Sequence, residues 1–138
     1  MRLRQADSRG GALMDLVAGM AISALAALPM LRGLRSLDCA LRVAAGRQVL
    51  ASSLLEARRM AYRSEATTWL RVRVGEGSVA LWPTGGVRAL GSGVTVVAAP
   101  ADGDVQFRGS GLADNATVAL ACEASRAEVV VNQRGVVR

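Results

Sequence analysis

The chain has 138 residues, room for one domain and little else. Half of it is hydrophobic but only 3% is aromatic, so the interior has to be built from Val, Leu and Ala. Net charge is +6, carried by 17 Arg with no Lys and no His, which excludes lysine-based covalent chemistry, histidine acid–base catalysis and histidine metal ligation.

Residues 1–10, MRLRQADSRG, form a polar leader with Arg2, Arg4, Arg9 and Asp7. The stretch from Gly10 to Leu31 is apolar except for Asp15. About 20 such residues, at ~1.5 Å each, match the ~30 Å hydrocarbon core of a bilayer. A carboxylate inside such a run is expensive and normally has a partner or a job; the bland alternative is an acid snorkelling at the membrane edge or accepting hydrogen bonds near a helix start. Ala24-Leu25-Ala26 offers a small-x-small cleavage site, as a secretory signal peptide would. Asp15, and helical patterning that continues beyond Pro29, argue against that reading. Arginines precede and follow the span in comparable number, so the positive-inside rule leaves orientation open.

From Leu34 to about Arg63 the periodicity predicts a helix continuing the apolar segment. Residues 32–66 are its distal amphipathic half. It carries two apolar stripes on roughly opposite sides. One comprises Leu34, Leu37, Leu41, Ala44, Ala51, Leu55 and Tyr62; the other comprises Cys39, Val43, Leu50, Leu54, Ala57 and Ala61. A helix with two apolar faces needs two partners, its own sheet and a neighbouring subunit, unless its own domain encloses it. The sequence does not say which stripe meets the sheet. Pro29 and Gly33 mark the expected site of a bend or local unwinding. Asp38 and Arg42 sit at i,i+4, a favourable pair.

Beyond Thr67 the period changes to two, and residues 67–138 read as an antiparallel β-domain. Leu70, Val72 and Val74 alternate with Arg71 and Arg73, so one face is expected inside. Further strands are expected at 79–82, 87–90, 94–98, 105–108, 116–122 and 128–132. Short Gly- and Pro-bearing links separate them, and Gly135 allows a last turn. The fold class is α+β: a long N-terminal helix whose distal half packs on a small antiparallel sheet.

No chemistry-bearing motif emerges. Gly85-Gly86 and Gly91-x-Gly93 lie between strands and read as turns, not phosphate loops. Asp102, Asp104 and Asp114 lack the spaced ligand pattern of a calcium loop. Cys39 and Cys122 are too far from other ligands in sequence to make a metal site; outside the cytoplasm they permit one disulfide. No cofactor and no enzymatic activity are expected. The Arg excess reads as a solvated surface or, more sharply, as attraction to polyanions such as DNA or anionic lipid.

The N-terminus resembles a type IV prepilin: a short basic leader ending in Gly, a cleavage point, then an apolar helix with an acid at its fifth mature residue. On that pattern Gly10 ends the leader, Gly11 is the new N-terminus, Leu13 is the third residue and Asp15 the fifth. The C-terminal half is similar to the closing strands of the GspH/FimT family. The matching residues are Val105-x-Phe107, Ala116-Thr117-Val118-x-Leu120, Val129-Val130-Val131-Asn132 and Gly135-x-Val137-Arg138, with Leu54-Leu55-Glu56-Ala57-Arg58 as the end-of-helix segment. The chain departs from the family in having Gly11 where Phe is usual, Asp15 where Glu is usual, and Pro29 earlier than the usual proline.

The resemblance implies a minor pilin or pseudopilin of a type II secretion system or type IV pilus, assembled through helix packing. Its partners would be other pilins or pseudopilins, a prepilin peptidase, an inner-membrane assembly platform and the lipid bilayer. The span 11–31 would anchor it in the bacterial inner membrane in a single pass, with the C-terminal domain in the periplasm. Asp15 would neutralise the methylated N-terminal amine of a neighbour, since an unpaired buried charge costs several kcal/mol. Some FimT-like members bind DNA through a Gly-Arg-x-Arg tail. Here Gly135-Val136-Val137-Arg138 lacks the first Arg and Arg134 precedes the glycine, so DNA is the less favoured partner and contacts through Arg134 and Arg138 would be few and salt-sensitive. A single-pass periplasmic protein outside any filament is the third reading.

Overall fold

The computed structural model describes residues 8–138, apart from the side chains of 8–10, 12, 13 and 26–32. Most of the leader therefore lies outside the described residues, as do the side chains of Leu13 and Pro29. One helix, α1, runs from Ser8 to Ser64. It is continuous through Pro29 and Gly33, so the local unwinding expected there does not occur. Seven strands follow: β1 (Thr68–Val72), β2 (Ser78–Trp82), β3 (Gly86–Ala89), β4 (Thr95–Ala98), β5 (Asp104–Phe107), β6 (Ala116–Cys122) and β7 (Ser125–Val131).

The chain divides into two units, residues 1–35 and Ser36–Arg138. The first is the proximal part of α1. Its described large apolar side chains, Met14, Leu16, Val17, Met20, Ile22 and Leu25, are all exposed and cover most of the helix circumference, with Asp15, Gly19 and Ser23 on the remaining face. Among the described residues no helix is long and apolar enough to cross a membrane; the side chains of 26–32, inside the expected span, fall outside them.

The second unit holds the core. The distal part of α1 contributes Cys39, Val43, Leu50, Leu54, Ala57 and Ala61, all buried. They pack with alternate residues of the strands, such as Leu70 and Val72 of β1, Val118 and Leu120 of β6, and Val129 and Val131 of β7. Phe107 is the one aromatic among the buried hydrophobics, in line with an interior of Val, Leu and Ala. Both tryptophans lie off the core, on paired positions of β1 and β2, with ring centroids 6.0 Å apart.

The strands make two sheets rather than the single sheet expected. One has the order β3-β2-β1-β5 and the other β4-β6-β7. Every pairing between strands is antiparallel. The reason is in the connections: after β3 the chain passes through Gly91-Ser92-Gly93 to the second sheet, then back for β5 and over again for β6. Period-two alternation fixes which face of a strand is buried but says nothing about which strand lies beside it.

Most strand ends fall within a residue of expectation, and the two larger differences, at the end of β1 and the start of β7, have local reasons. β1 ends at Val72, and Val74, expected to face inward, is 63% exposed. The chain turns away there, with Gly75 at φ +88° and its N–H donating to the Val96 carbonyl of the other sheet. β7 starts at Ser125, three residues early, because Cys122 pairs directly with Ser125 across a two-residue turn, Glu123-Ala124. Glu123 takes the positive φ of 50° that such a turn needs without being Gly or Asn, which is why the hairpin carries no sequence signal.

Polar tethers fix α1 to the strands. The buried Thr68 hydroxyl donates to the Ala57 carbonyl at 2.7 Å, tying the start of β1 to the helix. Arg88 of the edge strand β3 pairs with Glu56 of α1. Arg71 holds Asp104 across β1 and β5 at 3.0 Å; that hydrogen bond, reinforced by charge, raises the guanidinium above its ordinary value.

Candidate assembly surface

The two helix stripes have opposite fates. The Cys39–Ala61 stripe is the core face. The other is uncovered: Leu37 is 62% exposed, Leu41 72%, Leu55 40% and Tyr62 57%. Exposing one large apolar side chain is ordinary; an aligned row along a helix marks a surface that a partner covers. In the first unit the exposed apolar residues cover most of the circumference of α1, leaving one face to Asp15, Gly19 and Ser23. A helix whose apolar surface is that wide is normally covered by a bilayer or by other helices.

The C-terminal part of the exposed stripe, Ala44, Ala51, Leu55 and Tyr62, is the floor of a shallow groove. One depression is lined by Leu55, Arg58, Arg59, Tyr62 and Arg63. The next is lined by residues of α1 that include Ala44, Arg47, Ala51 and Leu55, together with Val129, Val137 and Arg138. A third involves Ala40, Ala44 and Arg47 of α1 with Ser125, Arg126 and Ala127 of β7. The far wall is thus the β7 edge and the C-terminal segment. That segment is held by reciprocal backbone bonds between Val130 and Arg138, both 3.0 Å, and by an isolated bridge from Val131 to Val137. Gly135 makes this return: its φ is +68°, and an added Cβ would lie 2.5 Å from the Gly111 carbonyl oxygen.

Of the residues singled out from sequence, Gly10 opens no described environment, and Gly11 has nothing within 4 Å of where a side chain would begin. Asp15 is exposed on α1 and forms no ion pair with any described residue. Cys39 of α1 and Cys122 at the end of β6 are joined in a disulfide, Cα atoms 5.4 Å apart across a sequence separation of 83. Arg134 and Arg138 do not share a depression. Arg134 lines a polar one with Asn115, Asn132 and Gln133, whereas Arg138 faces the helix groove. Among the described residues no group of His, Cys, Asp and Glu is placed to hold a metal ion. Sequence reasoning missed the arginines on the groove rim, Arg58, Arg59 and Arg126; the signal was there, as basic residues flanking an apolar helical stripe.

No family model and no curated protein matches the chain at a significant level. Solved structures do. The type IV minor pilin FimU of Pseudomonas aeruginosa superposes with a TM-score of 0.55 at 13% identity, over 70% of this chain and 86% of that one. A second crystal form of FimU gives 0.53 at 14%, over 67% and 88%. The minor pseudopilin EpsH of the Vibrio cholerae type 2 secretion system gives 0.54 at 15%, over 70% and 94%. A long helix on antiparallel sheets with these likenesses defines a class: the chain has the pilin-like α+β fold of minor pilins and minor pseudopilins.

Proposed function

We propose that the chain is a minor pilin or pseudopilin that takes part in assembling a type II secretion or type IV pilus filament by helix packing. The observation that carries the reading is the helix itself. On a pilin-like fold, its proximal part exposes apolar side chains over most of its circumference and its distal part leaves one apolar stripe uncovered. Neighbouring helices of a filament are the partner that would cover both. Before assembly, residues 11–31 act as a single-pass anchor in the inner membrane with the sheets in the periplasm, a compartment in which a Cys39–Cys122 disulfide persists.

In this reading a prepilin peptidase cleaves between Gly10 and Gly11, and the new amine is methylated. Asp15, exposed and unpaired among the described residues, takes the amine of the next subunit and sets the axial register. The test is coexpression with and without a prepilin peptidase, read by intact mass. Peptidase-dependent loss of residues 1–10 is expected, and its absence ends the processing claim. Asp15→Ala is expected to abolish site-specific crosslinks to neighbouring pilins while leaving anchoring in the membrane fraction unchanged. Unchanged crosslinks would favour an anchored protein outside any filament.

A further inference from the structure

The arginines of the second unit fall into two sets. Arg42, Arg71, Arg73, Arg88 and Arg108 each face an acid, and they occupy Asp38, Asp104, Glu76, Glu56 and Asp114. Arg58, Arg59, Arg63, Arg126 and Arg138 form no ion pair among the described residues. Arg47 is likewise without an acid and donates its Nε to the Glu128 carbonyl at 3.2 Å. Arg134 is also without an acid among the described residues and lines a separate polar depression; the other six line the depressions along α1 and β7, which adjoin through Leu55 and through Ala44 and Arg47. No Asp or Glu lines any of those depressions.

The floor has a helix-binding pattern. Ala44, Gln48, Ala51, Leu55, Arg58 and Tyr62 follow one another in alternating steps of four and three, the spacing of a coiled-coil seam. Small residues at its upper end allow close approach of another backbone. Arg47, Arg59 and Arg63 flank the seam, where charges choose the partner. Resting on the filament reading above, we propose that this groove docks an amphipathic helix of a different subunit, one whose apolar stripe is flanked by Asp or Glu, and that it selects against a second copy of this chain. A second copy packed through the same seam would bring the same uncompensated arginines, and the acids of the distal part of α1, Asp38 and Glu56, are already held by Arg42 and Arg88. Duplex DNA matches the charge but has no apolar stripe to cover Leu55 and Tyr62.

The test uses the full chain in detergent micelles, with empty micelles as blank, and three fluorescent probes. These are a designed helical peptide with a Leu/Ala seam flanked by Glu, its Lys-flanked counterpart, and a short DNA duplex. The Glu-flanked peptide is expected to bind in a salt-sensitive way and the Lys-flanked one not to bind. Arg59→Glu with Arg63→Glu should weaken the Glu-flanked peptide by at least about tenfold and admit the Lys-flanked one. Arg138→Glu, on the opposite wall, should act in the same direction. Equal binding of both peptides, binding of neither, or indifference to the reversals overturns the proposal. Binding of the duplex without the Glu-flanked peptide overturns it and assigns the groove to nucleic acid. Leader cleavage is read at residues 1–10, independently of the groove, so cleavage without peptide selectivity removes only the acidic partner. Selectivity without cleavage removes only the processing claim.

Discussion

At the scale of single residues, close approach and buried polarity make the sharpest demands. A Cβ on Gly46 would sit 2.8 Å from the Leu90 carbonyl oxygen and 3.2 Å from Val94, so α1 can lie where it does only because residue 46 has no side chain. The obstacle is backbone and cannot rotate away. Gly46→Val should destabilise the second unit by about 1–3 kcal/mol, as overpacking does, measured by denaturant unfolding in micelles. Thr68 is buried at 2% exposure and donates to the Ala57 carbonyl. Thr68→Val keeps the shape and removes that donor. A loss of about 1 kcal/mol is expected in the same measurement, and no loss would show that the helix–strand tether carries no net stability. Gly46 was invisible as a special position in the sequence. A glycine within a helical pattern announces a close approach only when the neighbour is known.

At the scale of elements, α1 is the informative one. Both stripes were legible by periodicity, but apolar character is the same on each, and only burial separates them. Adjacent residues give the cleanest contrast. Leu54 is fully buried and Leu55 is 40% exposed on the groove floor. Leu54→Ala should cost about 2–5 kcal/mol of stability through lost burial and a cavity. Leu55→Ala should leave unfolding nearly unchanged and instead reduce crosslinking to partner subunits. If the two variants were equally destabilised, the groove floor would belong to the fold and not to an interface. The strands show the complementary limit. β6 was expected at 116–122 and spans Ala116–Cys122, because five of its seven residues are buried and its ends are marked by turns. β1 was carried too far at its C-terminal end, because Val74 is as apolar as Val72 and only the departure of the chain at Gly75 puts it in solvent.

At the scale of the whole molecule, one covalent link closes the longest loop. Cys39 lies on the core face of α1 and Cys122 at the end of β6, 83 positions later. Bridging so long a loop restricts the unfolded chain, so Cys39→Ser with Cys122→Ser should lower stability by about 2–4 kcal/mol relative to the oxidised protein. The non-reduced protein should be lighter than the reduced one by the mass of the two thiol hydrogen atoms lost when Cys39 and Cys122 are oxidised to the disulfide. An equal mass would show free thiols and remove the periplasmic argument built on them. The pair could be named from composition, but its proximity depended on helix phase, strand register and the packing of α1 on the second sheet at once.

The sequence by itself determined the local features: a long apolar-to-amphipathic helix, the switch to period two after Thr67, the absence of histidine and lysine chemistry, and the resemblance at each end of the chain. Those follow from side-chain character repeated at a fixed spacing, which one strand or one helix expresses alone. Only the tertiary structure decided the split into two sheets, which stripe is core, the joining of Cys39 to Cys122, and the parting of Arg134 from Arg138. It also gathered Arg47, Arg58, Arg59, Arg63, Arg126 and Arg138, none of them held by an acid among the described residues, along one groove. Each of these is a relation between residues distant in sequence, set by which surfaces pack together, and hydrophobic burial is non-directional: it requires that a face be covered without specifying by what.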